Sequence, residues 1–117
     1  MTIHHIGIDS SFKVLQVVIL THSTVLLKFK PEVTPEQRQS VKDSIRALPS
    51  QIPAIQSIVA GDTLFNHLGH GYDEGVIFLF ENVAKLDEYR PHKAHTDYQA
   101  SSAPYIEDKL IFDIESA

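Results

Sequence analysis

The stretch "YRPHKAHTDY", residues 89–98, places two imidazoles and two phenols within ten positions. Tyr89, His92 and His95 fall at successive steps of three, with Pro91 between the first two. A histidine has an ordinary pKa near 6.5, so His95 can offer a neutral imidazole as a general base at physiological pH. A carbon acid is far weaker than imidazolium, so its enolate needs a hydrogen-bond donor, and the Tyr89 hydroxyl or a backbone N–H can supply it. The plainer reading makes His95 a half-buried helix-end residue with one satisfied nitrogen. His92 and His95 with Asp87 or Asp97 offer donors for zinc, but their spacing matches no zinc signature, so neither metal nor cofactor is expected.

A second histidine-bearing stretch, "FNHLGHGYDE" (65–74), combines glycines with His67, His70 and Tyr72. Glycines permit close backbone approach, and Tyr72 with the two histidines can rim a ligand pocket or simply form a solvated loop. Glu74 at its end can orient a histidine, act as a base if buried, or be a strand-edge carboxylate.

Elements must position these groups. "STVLLKFK" (23–30) alternates, with Val25, Leu27 and Phe29 in one phase and Thr24, Lys28 and Lys30 in the other, which predicts a strand. "PEVTPEQRQSVKDSIRALPSQ" (31–51) predicts a helix. Thr34 suits the N-cap, Pro35 the first helical position, and Gln37 completes a capping box. Val41, Ile45 and Leu48 form its apolar stripe, and Pro49 is expected to stop it. Residues 52–61 read as a strand and 62–75 as a loop. "VIFLF" (76–80) reads as a strand buried on both faces. Asn82 can cap a second helix with Val83, Leu86 and Tyr89 on one side, ended or bent by Pro91. Residues 92–104 can form a further short helical piece, and "KLIFDIE" (109–115) a last strand. The expected core is Val25, Leu27, Phe29, Val41, Ile45, Phe78, Phe80, Leu86 and Phe112.

Composition excludes several classes. The 117 residues suit one domain, and 43% apolar with 21% charged residues argues against disorder. The net charge is −5 and the ten Lys and Arg form no stripe, so no nucleic acid partner is expected. There is no cysteine, hence no disulfide framework. "VLQVVIL" (14–20) is too short to span a membrane and lacks the flanks of a signal peptide, so a cytoplasmic protein without membrane attachment is the expectation.

The order β-α-β-β-α-β defines an α+β, ferredoxin-like unit. Two helices cover one face of a four-stranded sheet, and strands apolar in both phases argue against water on the other. A homodimer with sheets packed face to face resolves this.

Five segments, "LLKFKPEVTPEQ" (26–37), "IPAIQSIVAG" (52–61), "GYDEGVIFLFEN" (71–82), "LDEYRPHKAH" (86–95) and "YIEDKLIFDIE" (105–115), resemble in order and spacing the stress-responsive A/B barrel, or dimeric α/β-barrel, family. The resemblance assigns residues 21–117 to that domain. Residues 1–20 remain an N-terminal extension, either an edge strand (14–20 favour one) or a tail. It implies a dimeric barrel but no single reaction, since the family holds stress proteins, a polyketide cyclase and a hydroxynitrile lyase. Similarity to the cyclase is greatest at Tyr89, His92, Ala94 and His95. It implies that Tyr89 and His95 take the catalytic positions in an aldol condensation and that His92 matches an intervening histidine. Where the cyclase has a first-strand histidine this chain has Ser23, with His22 one position out of phase, and Glu74 replaces another histidine. A one-residue shift turns a strand side chain to the opposite face unless a bulge restores it. The expectation is an elongated apolar cavity for a small apolar or polyketide-like ligand, with His95 and Tyr89 catalytic and His92, Tyr72, Glu74 and His22 around the ligand. The alternative is a non-catalytic stress-associated or structural oligomer.

Overall fold

A computed structural model describes residues 6–8, 13–15, 19–64 and 68–116. Two short strands, β1 (Ile6–Ile8) and β2 (Lys13–Leu15), pair antiparallel. The remaining elements are β3 (Thr21–Phe29), α1 (Pro35–Gln51), β4 (Ser57–Ala60), β5 (Glu74–Phe80), α2 (Val83–Tyr89), α3 (Lys93–Ser102), a 3₁₀ turn (Ala103–Tyr105) and β6 (Ile106–Glu115). Strands β3 to β6 form one antiparallel sheet in the order β4-β5-β3-β6. With helices after its first and third strands, this is the ferredoxin-like α+β architecture. The second helical segment is divided at Pro91 into α2 and α3. His67 and residues 16–18 of the expected strand 14–20 lie outside the described residues.

Helix α1 starts as its sequence dictates. The Thr34 Oγ1 accepts from Gln37 N at 3.1 Å, while Thr34 N donates to Gln37 Oε1 at 2.9 Å. Both bonds satisfy donors that the first helical turn leaves unpaired. Val41, Ile45 and Leu48 are buried on its inner stripe, each worth roughly 1.5–3 kcal/mol of transfer free energy. Pro49 does not stop the helix. It lies inside the last turn, and Ile52 N still donates to Leu48 O at 2.9 Å. Proline costs the bond to the carbonyl four residues back, but the Leu48 carbonyl beside it stays free to accept. The strand expected at 52–61 is shorter for a related reason: Pro53 sits in a turn that buries Ile52 and Ile55, and pairing begins only at Ser57.

Strand phase sets the faces. Val25, Leu27 and Phe29 of β3, with Val76, Phe78 and Phe80 of β5, meet the helices and join the core. Leu26, Val59, Ile77, Leu110, Phe112 and Ile114 lie on the opposite face. Phe112 is therefore not core but 59% exposed, because it pairs with Thr24 in the phase turned away from the helices. The register between β3 and β6 runs unbroken from Thr21 to Lys28 and slips once, between Lys28 and Phe29. That slip leaves Glu107 as the extra residue of a bulge.

Candidate functional site

A cavity of about 570 Å³ opens between the sheet and helix α3, within the roughly 300–1,000 Å³ range of small-molecule sites. Its floor is Val25 and Leu27 of β3 with Val76 and Phe78 of β5. Polar groups reach it from one wall: Tyr89 and Arg90, then His95, Tyr98 and Gln99 of α3. Lys109 and Ile111 of β6 also line it.

Tyr89 ends α2 and is 6% exposed. Its ring packs on Phe78 and Phe80, with centroids 5.5 and 5.2 Å away. Burial holds its phenol protonated well above the ordinary tyrosine range, with nearby Tyr98 and Asp113 adding to the shift. Tyr89 is thus a hydrogen-bond donor, not a base. Burial likewise raises the Tyr98 phenol.

His95 stacks on Tyr89 with ring centroids 4.1 Å apart. Its Nδ1 lies 2.9 Å from the Arg90 carbonyl oxygen. A carbonyl only accepts, so this nitrogen carries the proton and Nε2 keeps a lone pair. Burial lowers the His95 pKa; the Arg90 carbonyl opposes that shift, and the charge of Lys109 and the ring of His92 add to it. Neutral imidazole is therefore the form present at neutral pH. Arg90 fixes the intervening turn: its guanidinium pairs with Asp87 at 3.0 Å and with Asp113 on β6 at 2.8 Å.

The other residues expected at the ligand stand elsewhere. His92 is the N-cap of α3, its Nδ1 accepting from Ala94 N at 3.1 Å, and it does not line the cavity. It positions His95 through the helix start. His22 pairs with Leu79 and Ile114 in the phase facing away from the helices. The bulge comes too late in β3 to turn it back, and Ser23 is the buried residue on the helix side. Glu74 forms an ion pair with Lys42 at 3.4 Å and lies 3.2 Å from Thr63 Oγ1, away from His95. Tyr72 sits by the sheet's outer edge, donating to Asp108 Oδ2 at 2.8 Å, and that bond raises its pKa. It lies beneath Lys28, whose ammonium is 5.1 Å from the ring. Gly71, at φ +84, makes the approach to Lys28 feasible: a Cβ there would lie 3.1 Å from Lys28 Cε. His70 enters the same turn at φ 55 and does not reach the cavity.

Asp97 pairs with Lys93 and Asp87 with Arg90, so neither joins the two histidines. Among the described residues, no three His, Asp or Glu side chains converge as a metal site would require. Tyr98, Gln99 and Lys109 were not expected at the site. The signal for Lys109 lies in its phase, two residues before Ile111.

A four-stranded sheet in this order, helices on one side and a His–Tyr pair lining an apolar cavity define a ferredoxin-like domain with a small-molecule-sized chamber. The chain matches the family described as Stress responsive A/B Barrel Domain over residues 21–116, and it belongs to that family. It is similar to olivetolic acid cyclase of Cannabis sativa, 31% identical over 90 residues that cover 76% of this chain and 89% of the cyclase. Among solved structures it is similar to hydroxynitrile lyase from Passiflora edulis, with a TM-score of 0.77 at 13% identity, covering 84% of this chain and 94% of the lyase. It is also similar to a dimeric ferredoxin-like protein of unknown function from Thermobifida fusca, with a TM-score of 0.73 at 22% identity, covering 97% of this chain and 100% of that one. Among the described residues no helix is long and apolar enough to cross a membrane.

Proposed function

We propose that the chain is a cytoplasmic homodimer of A/B-barrel domains that takes a small, mostly apolar, polyketide-like ligand between helices and sheet and acts on it as a carbon acid. The observation that carries this reading is the His95–Tyr89 pair at a cavity of about 570 Å³ with an aliphatic and aromatic floor. His95 Nε2 removes a proton from a carbon beside a carbonyl. The electron pair moves to the carbonyl oxygen, where the Tyr89 hydroxyl donates to the enolate. The carbanion carbon then attacks a second carbonyl of the same chain, and imidazolium returns its proton to the new alkoxide. Run in the opposite sense, the same pair cleaves a carbon–carbon bond, so cyclase-like and lyase-like chemistry share this site. Similarity to a cyclase and to a lyase supports the class. The dimer is supported by the apolar outer sheet face and by the dimeric T. fusca neighbour.

The test is turnover of a linear poly-β-keto thioester, read as appearance of a ring product. Wild type should cyclise it, and His95→Gln should not. One observation favours a second reading, a non-catalytic stress-associated oligomer: Tyr89 is packed against two phenylalanines and the His95 ring. In that case His95→Gln lowers the melting temperature and no turnover is seen in either protein.

A further inference from the structure

Lys109 is the cation lining the cavity that has no ion-pair partner among the described residues. The other cation there, Arg90, is held by Asp87 and Asp113. Lys109 pairs in register with Leu27, on the helix side of β6, so its side chain leaves the strand toward the chamber rather than the outer face. The neighbouring carboxylate of Asp108 is engaged: Oδ2 takes the Tyr72 hydroxyl and Oδ1 takes the Lys109 backbone N–H. Glu107, the bulge residue, also lines the mouth and opposes an anion there.

From this we infer that Lys109 is an anion-recognition residue, and that the cavity prefers an apolar chain ending in a carboxylate over the same chain ending in a neutral amide. The inference rests on the ligand-binding reading above and adds the substrate's charge. The apolar chain lies over Val25, Leu27, Val76 and Phe78, while the carboxylate meets the ammonium at the mouth. His95 and Lys109 line the same cavity, so an anion held by Lys109 shares that chamber with the acid–base group, whose pKa the ammonium helps to lower. Because Lys109 is exposed, the pair is a solvent-screened one, and the preference is modest: about fivefold, and smaller in high salt.

The test is calorimetric titration with decanoate and decanamide. Wild type should bind decanoate about fivefold more tightly at low ionic strength, with the gap narrowing in 0.5 M salt as screening requires (about 4 Å of Debye length). Lys109→Met keeps the aliphatic stem and should bind decanamide as wild type does and decanoate no more tightly than decanamide. Lys109→Arg should retain the preference, and Glu107→Gln should widen it. If wild type binds both equally, or Lys109→Met weakens both by the same factor, Lys109 does not recognise the anion while the cavity still holds ligand. If neither compound binds wild type, the ligand-binding reading falls and this inference with it.

Discussion

The imidazole of His95 lies on the phenol of Tyr89, with ring centroids 4.1 Å apart and planes 26° from parallel. Tyr89 comes from the end of α2 and His95 from the first turns of α3, so the break at Pro91 is what brings the rings together. A continuous helix would hold residues six apart about 120° around its axis and about 9 Å along it, too far for their rings to stack. The stack unites a buried donor whose proton is retained with a base whose proton is given up easily.

The two partners should separate by mutation. Tyr89→Phe keeps the contacts with Phe78 and Phe80 and removes only the hydroxyl, so turnover should fall about 10²–10³-fold with little loss of stability. Tyr89→Ala should instead cost about 3–5 kcal/mol in urea unfolding, because the ring is almost wholly buried. His95→Gln should cut turnover about 10²–10⁴-fold and move the melting temperature little.

The acid limb of the pH–rate profile should have its midpoint below the usual histidine range, since burial disfavours imidazolium at His95. Below that midpoint the base is protonated and activity falls. Lys109→Met removes a charge that lowers this pKa, so its acid limb should move toward higher pH. The linkage sign follows: the folded state binds its His95 proton less readily than the unfolded chain. Stability from this residue is full above the unfolded pKa and declines as pH drops toward the folded one. Unfolding of wild type and His95→Gln across that interval measures the difference.

His92 acts through the helix start. His92→Ala should cost about 1 kcal/mol and lower turnover by loosening the first turn of α3, whereas His92→Asn or His92→Ser, both good N-caps, should restore stability and rate together. Loss of activity in all three with unchanged stability would make His92 a ligand-contacting residue.

The outer sheet face should hold two copies together. Phe112→Glu should convert a dimer to a monomer in sedimentation at micromolar concentration, because a two-fold interface carries the substitution twice. Unchanged mass in that variant would place the interface elsewhere.

Much of the scaffold is legible in the residues that build it. Thr34, Gln37 and the stripe Val41, Ile45, Leu48 locate α1, and the alternation through Val25, Leu27 and Phe29 orients β3. The out-of-phase position of His22 is also readable and is realised as the wrong face. Three features were hidden. Phe112 belongs to an apolar strand whose two faces differ only in what the rest of the fold lays on them. His92 is a cap because its backbone leaves the helix at φ −60 and ψ 137, and histidine is not a residue that announces a cap. Glu107 enters the site through a bulge, which depends on tertiary pairing between β3 and β6 rather than on local residue pattern.

The most direct measurement is an NMR titration of the isotope-labelled chain with decanamide, a neutral probe that tests the chamber without its charge. Saturable shifts at His95, Tyr98, Val76 and Phe78, with Val59, Ile77 and Phe112 unmoved, are the result this account predicts. Shifts confined to the outer sheet residues, or none at saturating probe, would contradict it.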